Sequence, residues 1–130
     1  MANPNIVNVT SIYGNTTYYT PSGTTAVVLL TNAASSSVVN KIDNIVVSNT
    51  TASAANATVS IYTNGAVAQG SAPSGGTAYP IAYQVSVPAN ATLVVADKST
   101  AFYLQEGTCI SITSGTANAL TFTVSYEAIS

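Results

Sequence analysis

Histidine, tryptophan and arginine are absent from this 130-residue chain, and charge of either sign is scarce. Lys41 and Lys98 are the only basic residues, and Asp43, Asp97, Glu106 and Glu127 the only acids. Charged residues make up 5% of the chain, against roughly 25% in an average soluble protein. Each gap excludes something. Without histidine there is no imidazole base and no imidazole metal ligand. Two lysines cannot displace the counterions that a nucleic-acid binder must displace. A single cysteine, Cys109, forms no intrachain disulfide, so synthesis in a reducing compartment is expected. The densest apolar run, Ala26 to Leu30, falls far short of the ~20 residues of a membrane helix. Met1 to Val9 has neither a basic nor an apolar stretch of the kind that directs secretion, so no export signal and no membrane partner are expected.

What is present is apolar and hydroxyl-rich. Hydrophobic residues reach 47%, the opposite of a disordered composition. Much of the remainder is Ser, Thr and Asn. A surface this poor in charge favours association, so the chain reads as a subunit packed against neighbours. Five Asn-x-Ser/Thr sequons, at Asn8, Asn15, Asn49, Asn56 and Asn90, follow from the abundance of Asn and Thr. In a reducing compartment they carry no sugar.

Along the chain, short β-branched and aromatic runs alternate with Gly, Pro, Asn and Ser. Strands are expected over Ile6 to Tyr13, ending at a Gly14-Asn15 turn, and over a short Thr16 to Thr20 stretch. Further strands are expected over Thr25 to Thr31, Val38 to Ser48 and Ala57 to Thr63. Asn64-Gly65 reads as a hairpin turn, because both residues tolerate positive φ, with Ala66 to Gln69 as the returning strand. Gly70 to Ala78 reads as an exposed loop. Ile81, Tyr83, Val85 and Val87 alternate with Ala82, Gln84 and Ser86, the pattern of a half-buried strand. Thr92 to Ala96, Ala101 to Leu104 and Thr108 to Thr113 follow. A last strand has Leu120, Phe122, Val124 and Tyr126 on one face. No stretch carries a 3.6-residue period. Roughly eight to ten short strands in one domain, residues 1–130, imply an all-β fold. The expected architecture is an antiparallel β-sandwich of jelly-roll type, with a small closed barrel as the alternative.

No catalytic residue, cofactor site or metal site is expected. The four acids have plain roles: Asp43 paired with Lys41 on one strand face, Asp97 beside Lys98 at a strand end, Glu106 in a turn, Glu127 facing outward. Cys109 lacks a base to activate it and reads as a packed thiol. The eight tyrosines are the more informative set. Tyr83, Tyr103 and Tyr126 are expected in the core or at its edge. Tyr18 and Tyr19, beside turns in a Thr-rich stretch, are the candidate interface residues, since tyrosine offers a rigid apolar body with one polar tip.

The opening Met1-Ala2-Asn3-Pro4-Asn5-Ile6-Val7-Asn8-Val9 and the C-terminal segments carry a resemblance. The latter comprise Val87-Pro88-Ala89-Asn90-Ala91-Thr92-Leu93-Val94-Val95, Asp97-Lys98-Ser99-Thr100, Phe102-Tyr103-Leu104-Gln105-Glu106-Gly107 and Val124-Ser125-Tyr126-Glu127. Together they resemble small virion structural proteins of tailed marine phages, cyanophages included. The resemblance covers the first dozen residues and most of positions 85 to 130. It implies a non-enzymatic virion protein assembled in the host cytoplasm, with a head decoration or cement role first. A neck, tail or fibre component comes second. The implied partners are copies of itself, a trimer being one form, and other virion proteins such as the major capsid protein. Residues 1–14 would then form an N-terminal strand or arm. The competing reading from another class is a receptor- or glycan-binding module.

Overall fold

The computed structural model describes residues 4–130. Among these residues nine strands form two packed antiparallel sheets. They are β1 (Ile12–Tyr19), β2 (Val27–Asn32), β3 (Val39–Asn49), β4 (Ala55–Tyr62), β5 (Ala78–Val87), β6 (Thr92–Ala96), β7 (Phe102–Leu104), β8 (Thr108–Ser114) and β9 (Leu120–Ile129). The front sheet runs β1-β9-β3-β6, with β7 on the same side of β3 as β6, and the back sheet runs β2-β8-β4-β5. This is the expected antiparallel β-sandwich, with two open sheets rather than a closed barrel.

The core lies between the sheets. Phe122, Leu29, Ile42, Ile45, Leu104, Ile110, Ile112 and Leu120 are its largest fully buried side chains. Alternation in β9 places Leu120, Phe122 and Val124 inward and the threonines between them outward, as period-two patterning requires. In β3 the alternation breaks. Ile42 and Ile45 are both fully buried although three residues apart. The cause is a bulge at Asp43, where the register against β9 shifts between Ile42 and Asn44. One extra residue reverses the side-chain parity, so Lys41 and Asp43 face out while Ile45 and Val47 face in.

A smaller apolar cluster sits on the outer face of the back sheet. Val28, Tyr62 and Cys109 are buried there beneath Val67. The cover is the long connection between β4 and β5. This corrects the hairpin expected at Asn64-Gly65, because Ala66 to Gln69 forms no returning strand. The glycine serves a close approach instead of a turn. A Cβ at Gly65 would lie within 3 Å of the carbonyl oxygens of Asn32 and Thr108. The connection then runs along the free edge of β2, where Gly70 N–H donates to Val28 O and Val28 N–H donates to Ser71 O, both at 2.9 Å.

The first strand is also displaced from its expected place. It starts at Ile12, not Ile6, and passes straight through Gly14-Asn15, which is therefore no turn. Ser11 exchanges backbone hydrogen bonds with Ser130 just beyond the Ile12–Ile129 pair, and Thr10 N–H donates to the same Ser130 oxygen, which turns the chain out of the ladder. Of the expected arm, residues 1–3 lie outside the described residues. Pro4 and Ile6 lie against Val39 and Tyr103 around an apolar crevice of about 260 Å³.

Candidate functional site

The exposed large side chains gather on two strands. In β1, Ile12, Tyr13 and Tyr18 are exposed, the tyrosines by 66% and 69%. In β5, Tyr79, Ile81, Tyr83 and Val85 are exposed, with the tyrosines at 60% and 66%. Both strands lie at sheet edges. They also lie on opposite sides of the sandwich, β1 beside β2 and β5 beside β6. Neither strand carries a charged residue.

Tyr18 and Tyr19, singled out together above, separate. Tyr18 pairs with Thr123 and points to the outer face of the front sheet, while Tyr19 pairs with Phe122 and packs against the core. Gly70 comes so close to the Tyr19 ring that a Cβ there would lie 3.0 Å from its hydroxyl. Tyr83 and Tyr103, expected in the core or at its edge, are exposed, and Tyr126 alone of the three packs against the core. The strand of Ile81, Tyr83 and Val85, expected to be half-buried, has only Val87 fully covered. Two register shifts against β4 and the positive φ of Gln84 break its alternation. Tyr13, Tyr79 and Tyr83 were not anticipated as surface residues. Their positions depend on which strands end up at sheet edges, which alternation does not encode.

The charged groups form a second feature. Lys41, Asp43, Lys98 and Glu127 line an open depression of about 460 Å³. Lys41 Nζ lies 3.6 Å from Glu127 Oε2 and 3.9 Å from Asp43 Oδ1. Register explains the first pair, since Lys41 and Glu127 are direct cross-strand partners, and Asp43, two residues from Lys41 on the same strand face, supplies the second. The cluster is a partly exposed ion triad, a geometry that contributes little to stability.

The remaining acids are employed in turns. Asp97 caps the 3₁₀ turn at Lys98–Thr100, accepting from the Ser99 hydroxyl and backbone N–H. Those bonds, the hydroxyl's first, hold its carboxyl below the ordinary aspartate value. Glu106 accepts from the Ser37 N–H. Cys109 is fully buried, and desolvation pushes its thiol up to about 11. A thiol held neutral in this way is a packing group, as expected from the sequence. Among the described residues no group of three His, Cys, Asp or Glu side chains is placed to hold a metal ion. No described helix is long and apolar enough to cross a membrane.

No protein-family model, curated protein or solved structure matches the chain.

Proposed function

We propose that this chain is a non-enzymatic structural subunit of a tailed-phage particle, acting as a head decoration or cement protein. The observation that carries the reading is the placement of tyrosine-bearing, uncharged edge strands on opposite sides of one sandwich. A subunit built this way has two contact surfaces and can bridge two neighbours. Tyrosine suits both, because burying its ring gains apolar area while its hydroxyl still finds a polar partner.

Two further features support the reading. The chain fills one sheet in the order 1-9-3-6/7 and the other in the order 2-8-4-5. We read this order as jelly-roll winding, an architecture shared by viral capsid domains and by lectins and cupins. Fold alone does not decide among these, and the resemblance of the two chain ends to phage virion proteins favours the first. In this role the subunit binds the assembled lattice of major capsid protein more tightly than loose capsid subunits. Mass action then stabilises the shell.

Cryo-electron microscopy of the intact particle tests the proposal. Density for the sandwich repeated at lattice positions on the head is the expected result. Density confined to the neck, tail or fibres moves the subunit to that part of the particle, and absence from the particle overturns the virion reading. A Tyr79→Ser/Tyr83→Ser chain that still folds is expected to load onto shells at least tenfold less tightly, as loss of central aromatic contacts predicts.

A further inference from the structure

A regular, unguarded sheet edge pairs with other strands, so soluble proteins blunt their edges with bulges, proline, short strands or a covering loop. Three of the four edges here are blunted. The β2 edge is covered by the β4–β5 connection, through Gly70, Ser71 and the Gln69 side chain, which donates to Leu29 O at 2.8 Å. The β5 edge carries Pro80 and two register shifts. The β6 and β7 edge is cut into pieces of five and three residues by the Lys98–Thr100 turn. The fourth edge, β1, has none of these devices among the described residues. It pairs with β9 over eight residues without a register shift and contains no proline and no charge. The Gln69 amide reaches it only at its far end, at Thr17 Oγ1 and, at 3.5 Å, Tyr18 O.

We infer that β1 pairs antiparallel with β1 of a second copy, around a two-fold axis through Asn15, and so joins the two front sheets into one. The inference goes beyond the virion reading and does not rest on it. A second copy is the occupant for two reasons. Copies that met through different edges would need one of the three blunted ones, so β1 meets β1 and the contact closes at two subunits. The strand is also self-complementary. A two-fold normal to the sheet keeps each side chain on its own face, so only residues of equal parity come opposite each other. About Asn15, Ile12 lies opposite the second copy's Tyr18, Tyr13 opposite Thr17, and Gly14 opposite Thr16. Ile12 and Tyr18, both more than half exposed in one copy, then form two aliphatic–aromatic cross-strand pairs on the outer face. Centring the axis on Thr16 instead sets Tyr18 opposite Gly14 and loses both pairs.

The test is the mass of the purified full chain in solution, by sedimentation or light scattering at tens of micromolar, with three variants. The expected wild-type mass is twice 13.1 kDa. Asn15→Lys places like charges on the axis, and is expected to run as a monomer with an unchanged circular-dichroism spectrum. Asn15→Cys brings two thiols together on the axis, and is expected to cross-link under mild oxidation, while Ala101→Cys on the far edge does not. A monomeric wild type, a trimer or larger ring, or a dimer that survives Asn15→Lys with no Asn15→Cys cross-link overturns the inference. None of these readouts depends on where the protein sits in a particle, so the virion reading is tested separately.

Discussion

Asn32 and Asn49 do the same work at the ends of successive strands. Each is buried where the chain leaves one sheet for the other. The Asn32 amide donates to Val38 O and Leu104 O, and its oxygen accepts from the Ser36 hydroxyl. The Asn49 amide donates to Ser53 O and Val87 O, and its oxygen accepts from Thr51 N–H and hydroxyl. Each side chain thus supplies hydrogen bonds to backbone carbonyls at a crossing between the sheets. Asn49→Ala removes the side-chain donor from Val87 O and the acceptor from Thr51 N–H, while Ser53 O keeps the Thr51 hydroxyl, and is expected to cost about 1–3 kcal/mol in denaturant unfolding. A cost under about 0.5 kcal/mol, as for ordinary surface changes, would mean that water reaches the corner. The same burial excludes sugar attachment at Asn49 in the folded chain. Cys109 gives a second prediction at this scale. Its thiol is raised from 9.0 to about 11 by desolvation, so the folded state holds the proton more tightly than the unfolded state. Its contribution to stability is complete below pH 9 and is lost as pH rises towards 11. The stability difference between wild type and Cys109→Ala is expected to narrow across that window. A thiol reagent at neutral pH should modify the unfolded chain and spare the folded one.

At the scale of elements, the decisive piece is the connection from Tyr62 to Ala78. It covers Val28, Tyr62 and Cys109, seals the β2 edge and buttresses Tyr19 through Gly70. Its anchor is Gly65, whose missing side chain lets the backbone lie on Asn32 and Thr108. Gly65→Ala meets three backbone atoms within 3 Å, none of which a side-chain rotation can clear. The expected cost is near the upper end of about 1–3 kcal/mol for overpacking, with Gly23→Ala, which has open space around it, as the neutral control. Equal stability of the two variants would show that the connection does not anchor there. This element also marks how far the sequence could be read. β3, β4, β6, β7, β8 and β9 were legible because β-branched alternation and flanking turn residues are local properties. The connection was not, because Asn64-Gly65 carries the local signature of a hairpin while its actual constraint is a tertiary contact. Tyr83 was misplaced for a related reason. Alternation states which side chains share a face, but the register shifts of β5 against β4 and the positive φ of Gln84 break that alternation beside Tyr83. The Asp43 bulge was equally hidden, since one inserted residue leaves no compositional trace. Of the site, the ion pair of Lys41 and Asp43 was legible from spacing, whereas the separation of exposed Tyr18 from packed Tyr19 was not. The edge positions of Tyr13 and Tyr79 come from strand order alone.

At the scale of the whole molecule, charge is both scarce and concentrated. Four of the six ionic side chains line one depression on the front sheet, where Lys41 is already paired with two carboxylates. Asp97 and Glu106 are engaged in turns. The edge strands β1 and β5 are therefore electrically blank, and contacts made through them rest on backbone hydrogen bonds and apolar burial. Salt screens charges and leaves those forces in place. The dimer population is accordingly expected to stay constant from low salt to about 1 M sodium chloride, where the screening length has fallen to about 3 Å. Sulfate, which strengthens apolar burial, should raise it. The same holds for attachment to a shell if attachment uses β5. Dilution of the purified protein at two salt concentrations reads the first case, and release from particles reads the second. Dissociation on adding sodium chloride would place the Lys41 cluster in the contact, and the surface to mutate would then be the charged depression and not the tyrosine edges. Constancy across the series would leave the uncharged edges as the surfaces through which copies and partners meet.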